Sequence, residues 1–84
     1  MTNKEILKKQ IIYRSTHRGS KEMDILLGNF VKKYIDDFSD SDLKDLMEIL
    51  FIEDEILYRW YFEKKNSEII SDSKVAEMLK SFKL

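Results

Sequence analysis

An 84-residue chain with no cysteine, no proline, two glycines and a formal charge of −1 has room for one domain, and no disulfide or thiolate metal site can brace it. Such a chain buries only roughly 60–65% of its unfolded surface, so packing and helix caps must hold it; abundant leucine, isoleucine, methionine and aromatic residues point to an all-α fold. The missing basic excess argues against a nucleic-acid partner, and no apolar run approaches the roughly 20 residues of a membrane helix.

The start, Met1 to Leu7, carries neither the apolar core of a signal peptide nor, with Glu5 present, the acid-poor character of a transit peptide. A cytoplasmic protein is expected, or a mitochondrial-matrix protein if a targeting segment has been removed. The charge is unevenly spread. Up to Lys21 the bases Lys4, Lys8, Lys9, Arg14, Arg18 and Lys21 face the single acid Glu5, whereas from Asp36 to Glu55 nine acids face only Lys44. That dipole suits the steering of a protein partner, although part of the acidic cluster is ordinary compensation of helix N-termini.

The spacing predicts five helices, at roughly 3–16, 20–37, 40–51, 54–63 and 73–82, packed as a compact bundle in one domain spanning 1–84. In the first, Ile6, Gln10 and Tyr13 form one row and Leu7, Ile11 and Arg14 a second beside it. The second has the strongest periodicity, Met23, Leu26, Leu27, Phe30, Val31, Tyr34, Ile35 and Phe38, and should be central. Ser20 is its expected N-cap, and Gly28 within it suggests close approach of a neighbouring helix. Ser39 and Asp42 form a capping-box variant before a third helix that buries Leu43, Leu46, Met47, Leu50 and Phe51. Asp54 is read as the N-cap of the fourth. There Trp60 is read as core, while Tyr58, Tyr61 and Phe62 cannot all turn inward with it, so one or two should be exposed. Ile69 and Ile70 anchor the connection to a last helix carrying Val75, Met78, Leu79 and Phe82.

The stretch Tyr13 to Asp24 holds more charge than a helix junction needs. Gly19 and Ser20 already supply breaker and cap, so Arg14, His17, Arg18, Lys21, Glu22 and Asp24 are a surplus and mark a candidate partner-binding surface. His17 is the single histidine and reads more simply as solvated than as a general acid. No EF-hand spacing, Glu-x-x-His pair or glycine-rich phosphate loop is present, so no metal site and no enzyme are expected. Arg18 and Glu22 stand four apart. They can bond each other or cap helix ends; alternatively a left-handed Gly19 opens the turn and lets both project as a polar probe.

Arg18-Gly19-Ser20-Lys21-Glu22-Met23-Asp24 resembles the Arg-Gly-x-x-Glu-x-Asp signature of the succinate dehydrogenase assembly factors that promote covalent flavin attachment. The likeness runs from Ile11 to Trp60 and takes in Ile25-Leu26-Leu27-Gly28, Phe30, Ser39-Asp40 and Asp54-x-x-Leu57-x-x-Trp60. Glu55 stands where the family often has proline, and the segment after Glu63 carries no part of the resemblance. It implies a five-helix assembly factor that binds the flavoprotein subunit of succinate dehydrogenase, and that of fumarate reductase as a related client. FAD would become linked to a histidine of the client by the client's own chemistry, with no cofactor held tightly by the factor. Carried over by position, Arg18, Gly19 and Glu22 match the motif core and Asp24 its last acid. The competing reading is a helical interaction module for another client, using exposed aromatics of the fourth helix.

Overall fold

The computed structural model describes residues 2–70 and 72–84; Met1, at the head of the basic stretch, and Ser71 lie outside them. Thr2 starts the first helix by accepting the Glu5 N–H, and α1 runs Asn3–Thr16. Its inward row is Leu7, Ile11 and Ser15, so the second of the two rows faces the core, with Ser15 in place of Arg14 as its last buried member. Ile6 and Tyr13 are exposed. Small Ser15 is fully covered because its hydroxyl donates to the Ile12 carbonyl and needs no water.

Ser20 accepts the Met23 N–H and opens α2, Lys21–Tyr34, which buries Met23, Leu26, Leu27, Phe30 and Val31. This is the central helix that periodicity predicts. It does not continue to residue 37: Ile35–Asp37 tightens into a 3-10 turn and Phe38 becomes extended. Asp36 and Asp37 oppose the negative end of the helix dipole, and the tighter turn lets both Ile35 and Phe38 reach the core. Gly28 faces the end of α1, where an added Cβ would lie 3.5 Å from Thr16 Cγ2.

The capping box is present, with Ser39 and Asp42 each accepting the other's N–H, and it opens α3, Asp40–Leu50. Leu43, Leu46, Ile49 and Leu50 are buried. Phe51, expected in that row, is instead 64% exposed, because α3 stops at Leu50 and the chain turns away. Next, α4 is Asp54–Phe62; Glu53 is its N-cap, one residue before the expected Asp54, whose carboxylate is used elsewhere. Leu57, Trp60 and Tyr61 are buried while Tyr58 and Phe62 stay exposed, their rings tilted against each other at 4.7 Å. After α4 the left-handed position belongs to Lys64, with φ 58°, and the Lys65 N–H turns back to the Arg59 carbonyl.

Of the two isoleucines in the last connection, Ile70 is buried and Ile69 exposed. Ser73 caps α5, Lys74–Ser81, which packs Val75, Ala76 and Leu79 onto α3. Phe82 closes the bundle by laying its ring edge-on to Phe30 at 5.4 Å, and its carbonyl accepts the Tyr61 hydroxyl. The five helices share one core, and the radius of gyration, 12.0 Å, is that of a single globule.

Candidate functional site

Helix ends leave carbonyls and N–H groups without partners, and the corner where α1 meets α2 is built by answering that need at the α3–α4 connection. Arg18 lies over it. Its Nη1 donates to the Leu50 carbonyl, its Nη2 to the Ile52 carbonyl at 2.7 Å, and its Nε to Asp54 Oδ1 at 2.6 Å. The guanidinium thus satisfies carbonyls at the C-terminal end of α3 with positive charge, where the dipole favours it. Asp54 sits in the first turn of α4, where its negative charge is favoured in turn. Its second oxygen accepts the Gly19 N–H at 2.8 Å, and Asp24 Oδ1 accepts the Arg18 N–H at 2.6 Å. Two carboxylates and two carbonyls therefore clasp one Arg-Gly step.

Of the two readings of Arg18, the structure shows the helix-end cap and corrects the projecting probe. Its side chain is only 9% exposed and does not project; a planar fork with several donors is the one side chain that can meet a carboxylate and two carbonyls at once. It makes no bond with Glu22. Gly19 is corrected too, because no glycine has a positive φ. A Cβ on Gly19 would stand 3.4 Å from Asp54 Oδ2, so the missing side chain serves the close approach of backbone to carboxylate. Asp24, half-buried, faces back into the turn.

What faces outward is Lys21 and Glu22, both exposed in the first turn of α2. Glu22 makes no hydrogen bond or ion pair with any described residue, so its oxygens are available on a turn that is itself held fast. On the α1 side, His17 stacks on Tyr13 at 3.9 Å, and its Nδ1 donates to the Tyr13 carbonyl at 2.8 Å. That bond puts the proton on Nδ1 and leaves Nε2 as the open ring nitrogen. Arg14 lies over the face of Phe51, 4.3 Å from its centroid. Between these walls runs an open groove of about 880 Å³, floored by Leu7 and Met47.

All seven predicted site residues thus fall at one corner, in two roles: Arg18, Gly19 and Asp24 build it, and Arg14, His17, Lys21 and Glu22 present it. The residues missed are Asp54, read only as a cap, and the Leu50 and Ile52 carbonyls. The Asp54-x-x-Leu57-x-x-Trp60 likeness is the signal that links Asp54 to the motif; main-chain carbonyls leave none. No group of three His, Cys, Asp or Glu side chains among the described residues could hold a metal ion.

A helical bundle that commits an arginine and two carboxylates to fixing one polar turn, beside an open groove, belongs to the class of small helical proteins that present a preformed surface. Comparison with known proteins makes this specific. Residues 9–83 match the family model described as "Flavinator of succinate dehydrogenase", and the chain belongs to that family. The match continues through α5, so the segment after Glu63 is family sequence as well. The chain is 35% identical over 81 residues to succinate dehydrogenase assembly factor 2, mitochondrial, of Scheffersomyces stipitis, covering 89% of this chain and 53% of that protein. It is 31% identical over 78 residues to the Arabidopsis thaliana protein of the same name, covering 92% and 42%. To the FAD assembly factor SdhE of Acetobacter pasteurianus it is 36% identical over 55 residues, covering 66% and 50%. The chain spans about half the length of the curated relatives it matches. These relatives are named as assembly factors, not as catalysts, and the eukaryotic ones as mitochondrial. No solved structure gives a significant match. No helix among the described residues is long and apolar enough to cross a membrane.

Proposed function

We propose that this chain binds the flavoprotein subunit of succinate dehydrogenase and promotes covalent attachment of FAD to it, using the Arg-Gly corner as its contact surface. The observation that carries the reading is Glu22: an exposed, unpartnered carboxylate on a turn immobilised by Arg18 and Asp54, in a chain of the flavinator family. Because the turn is held before contact, little conformational entropy is lost on docking. Glu22 and Lys21 would hold elements around the client's flavin site in the arrangement where the linkage forms, by orientation and not by proton transfer. FAD is the client's cofactor, and the bond forms on the client. The flavoprotein subunit of fumarate reductase is proposed as a second client. The protein would act wherever the client folds, in a bacterial cytoplasm or a mitochondrial matrix.

The test mixes the protein with apo flavoprotein subunit and FAD and follows covalent flavin by in-gel fluorescence. A desolvated charge-assisted hydrogen bond is worth about 1.5–3 kcal/mol, so Glu22→Ala should slow labelling on the order of 10- to 100-fold. Equal labelling by wild type and variant removes Glu22 from the mechanism. The exposed, mutually packed pair Tyr58 and Phe62 favours a second reading, docking of a different client through α4. Tyr58→Ala is the variant that tests it; Tyr61→Ala is unsuitable because Tyr61 is buried and bonded to Phe82.

A further inference from the structure

The groove between α1 and the α3–α4 connection is lined by more than the Arg-Gly motif. Tyr13 and Phe51, 61% and 64% exposed, present apolar ring surface at its walls, well away from the core. Arg14 lies over the Phe51 ring and has no carboxylate partner among the described residues, so its donors are available at the groove. His17 is stacked in place with Nε2 open. Among the described residues the acid in the lining is Asp54, and both its oxygens are already taken, by Arg18 and by Gly19. The acids of α3 face elsewhere: Asp45 and Glu48 line a separate groove with Ile49 and Ile52. A concave surface with aromatic walls, an arginine that no carboxylate pairs among the described residues and no free carboxylate is complementary to a chain segment that carries both an acid and an apolar side chain.

We infer that this groove binds an acidic segment of the client, with Arg14 receiving an aspartate or glutamate carboxylate and Tyr13 and Phe51 packing on a neighbouring apolar residue. The inference rests on the proposed client and deepens it: Glu22 contacts one part of the client surface, and the groove grips a second, negatively charged part. Arg14 is a binding residue here, separate from the Arg18 clasp that holds the turn.

The experiment measures the affinity of the apo flavoprotein subunit for wild type, Glu22→Ala, Arg14→Glu and Phe51→Leu at two salt concentrations, with thermal melts as a control for folding. Arg14→Glu should weaken binding at least about ten-fold at low salt, flatten its salt dependence and leave the melt within a few degrees of wild type. Phe51→Leu, which removes the platform but keeps the charge, should weaken it less. Arg14→Lys adds a positive readout. With a water-soluble carbodiimide, which takes up the water released, the new amine should form an amide with an aspartate or glutamate of the client, located at position 14 by mass spectrometry. Full-strength binding by Arg14→Glu, or no cross-link at position 14, overturns the acidic-segment assignment while leaving the client reading intact. If wild type itself fails to bind the subunit, it is the client reading that falls. Concentration-dependent dimers abolished by Arg14→Glu, or salt-sensitive binding of a DNA duplex through Arg14 with client affinity unchanged, would also overturn the inference by giving the groove a different occupant.

Discussion

Arg18 spends its donors inside the molecule. Its guanidinium joins the end of α3, the start of α4 and the turn before α2, nearly out of solvent and with carbonyls that no other side chain satisfies. Removing one member of such a group leaves the others buried and unpaired. Arg18→Ala should therefore cost about 2–4 kcal/mol, and Arg18→Lys a large part of that, since an ammonium can meet Asp54 but not both carbonyls in the same plane. Glu22→Ala should change stability by less than about 1 kcal/mol. Chemical denaturation of the three variants separates these cases; an Arg18→Ala protein as stable as wild type would show that the clasp is incidental. The two motif charges would then lose function by different routes, one through the scaffold and one through the contact.

Among the elements, α2 is the best defined by its own pattern, because a broad apolar stripe can satisfy only a helix with neighbours on several sides. Gly28 is the weak point in it. Glycine costs a helix interior about 0.5–1 kcal/mol relative to alanine, and the methyl of an alanine here would rest in ordinary contact with Thr16, not in a clash. Gly28→Ala should accordingly stabilise the protein, raising the melting temperature by roughly 3–6 °C for a chain of this size. A fall would mean that the added methyl does not fit against Thr16 as its ordinary contact distance implies. In α1 the pattern was ambiguous. Two apolar rows compete there, and only the packing of Ser15, which no hydrophobic scale marks, decides which is turned inward. Phe51 was misassigned because its place in the row depends on where α3 stops, and that stop is set by contacts from Arg18, a residue far away in sequence.

For the molecule as a whole, the sequence made plain the helical class, the Ser20 and Ser39 caps and the corner that holds the motif. It concealed which charges spend themselves internally. Lys8 meets Asp36 at 3.1 Å and Lys4 lies 3.7 Å from Asp40, so the basic first helix and part of the acidic cluster partly neutralise each other, and the linear asymmetry overstates the dipole offered to a partner. Such pairs are exposed at one or both ends and add little stability. Asp42 is the exception with a pH signature. The Ser39 backbone N–H, bonded to its carboxylate, holds it below the ordinary carboxylate range, Lys74 acts in the same direction, and burial opposes them. A carboxyl depressed in the folded state contributes stability above its unfolded value, near pH 4, and that contribution is lost as pH falls through the folded value. The stability difference between wild type and Asp42→Asn should be constant around neutrality and shrink progressively below about pH 4. A difference that grows on acidification would contradict the assignment.

The clasp also dictates when the proposed contact surface comes into being. Residues 18 and 19 are held by residues 50, 52 and 54, so a loop of more than thirty residues must close before the turn has its shape. A nascent or partly unravelled chain, even one with α1 and α2 already formed, would carry the motif in its sequence yet offer nothing a client could grip. On the proposed function, recognition is thereby tied to completion of the bundle. In hydrogen exchange the Gly19 amide, which Asp54 accepts across that loop, should be protected although it lies in a surface turn, and fast exchange there would uncouple the motif from the maturity of its scaffold.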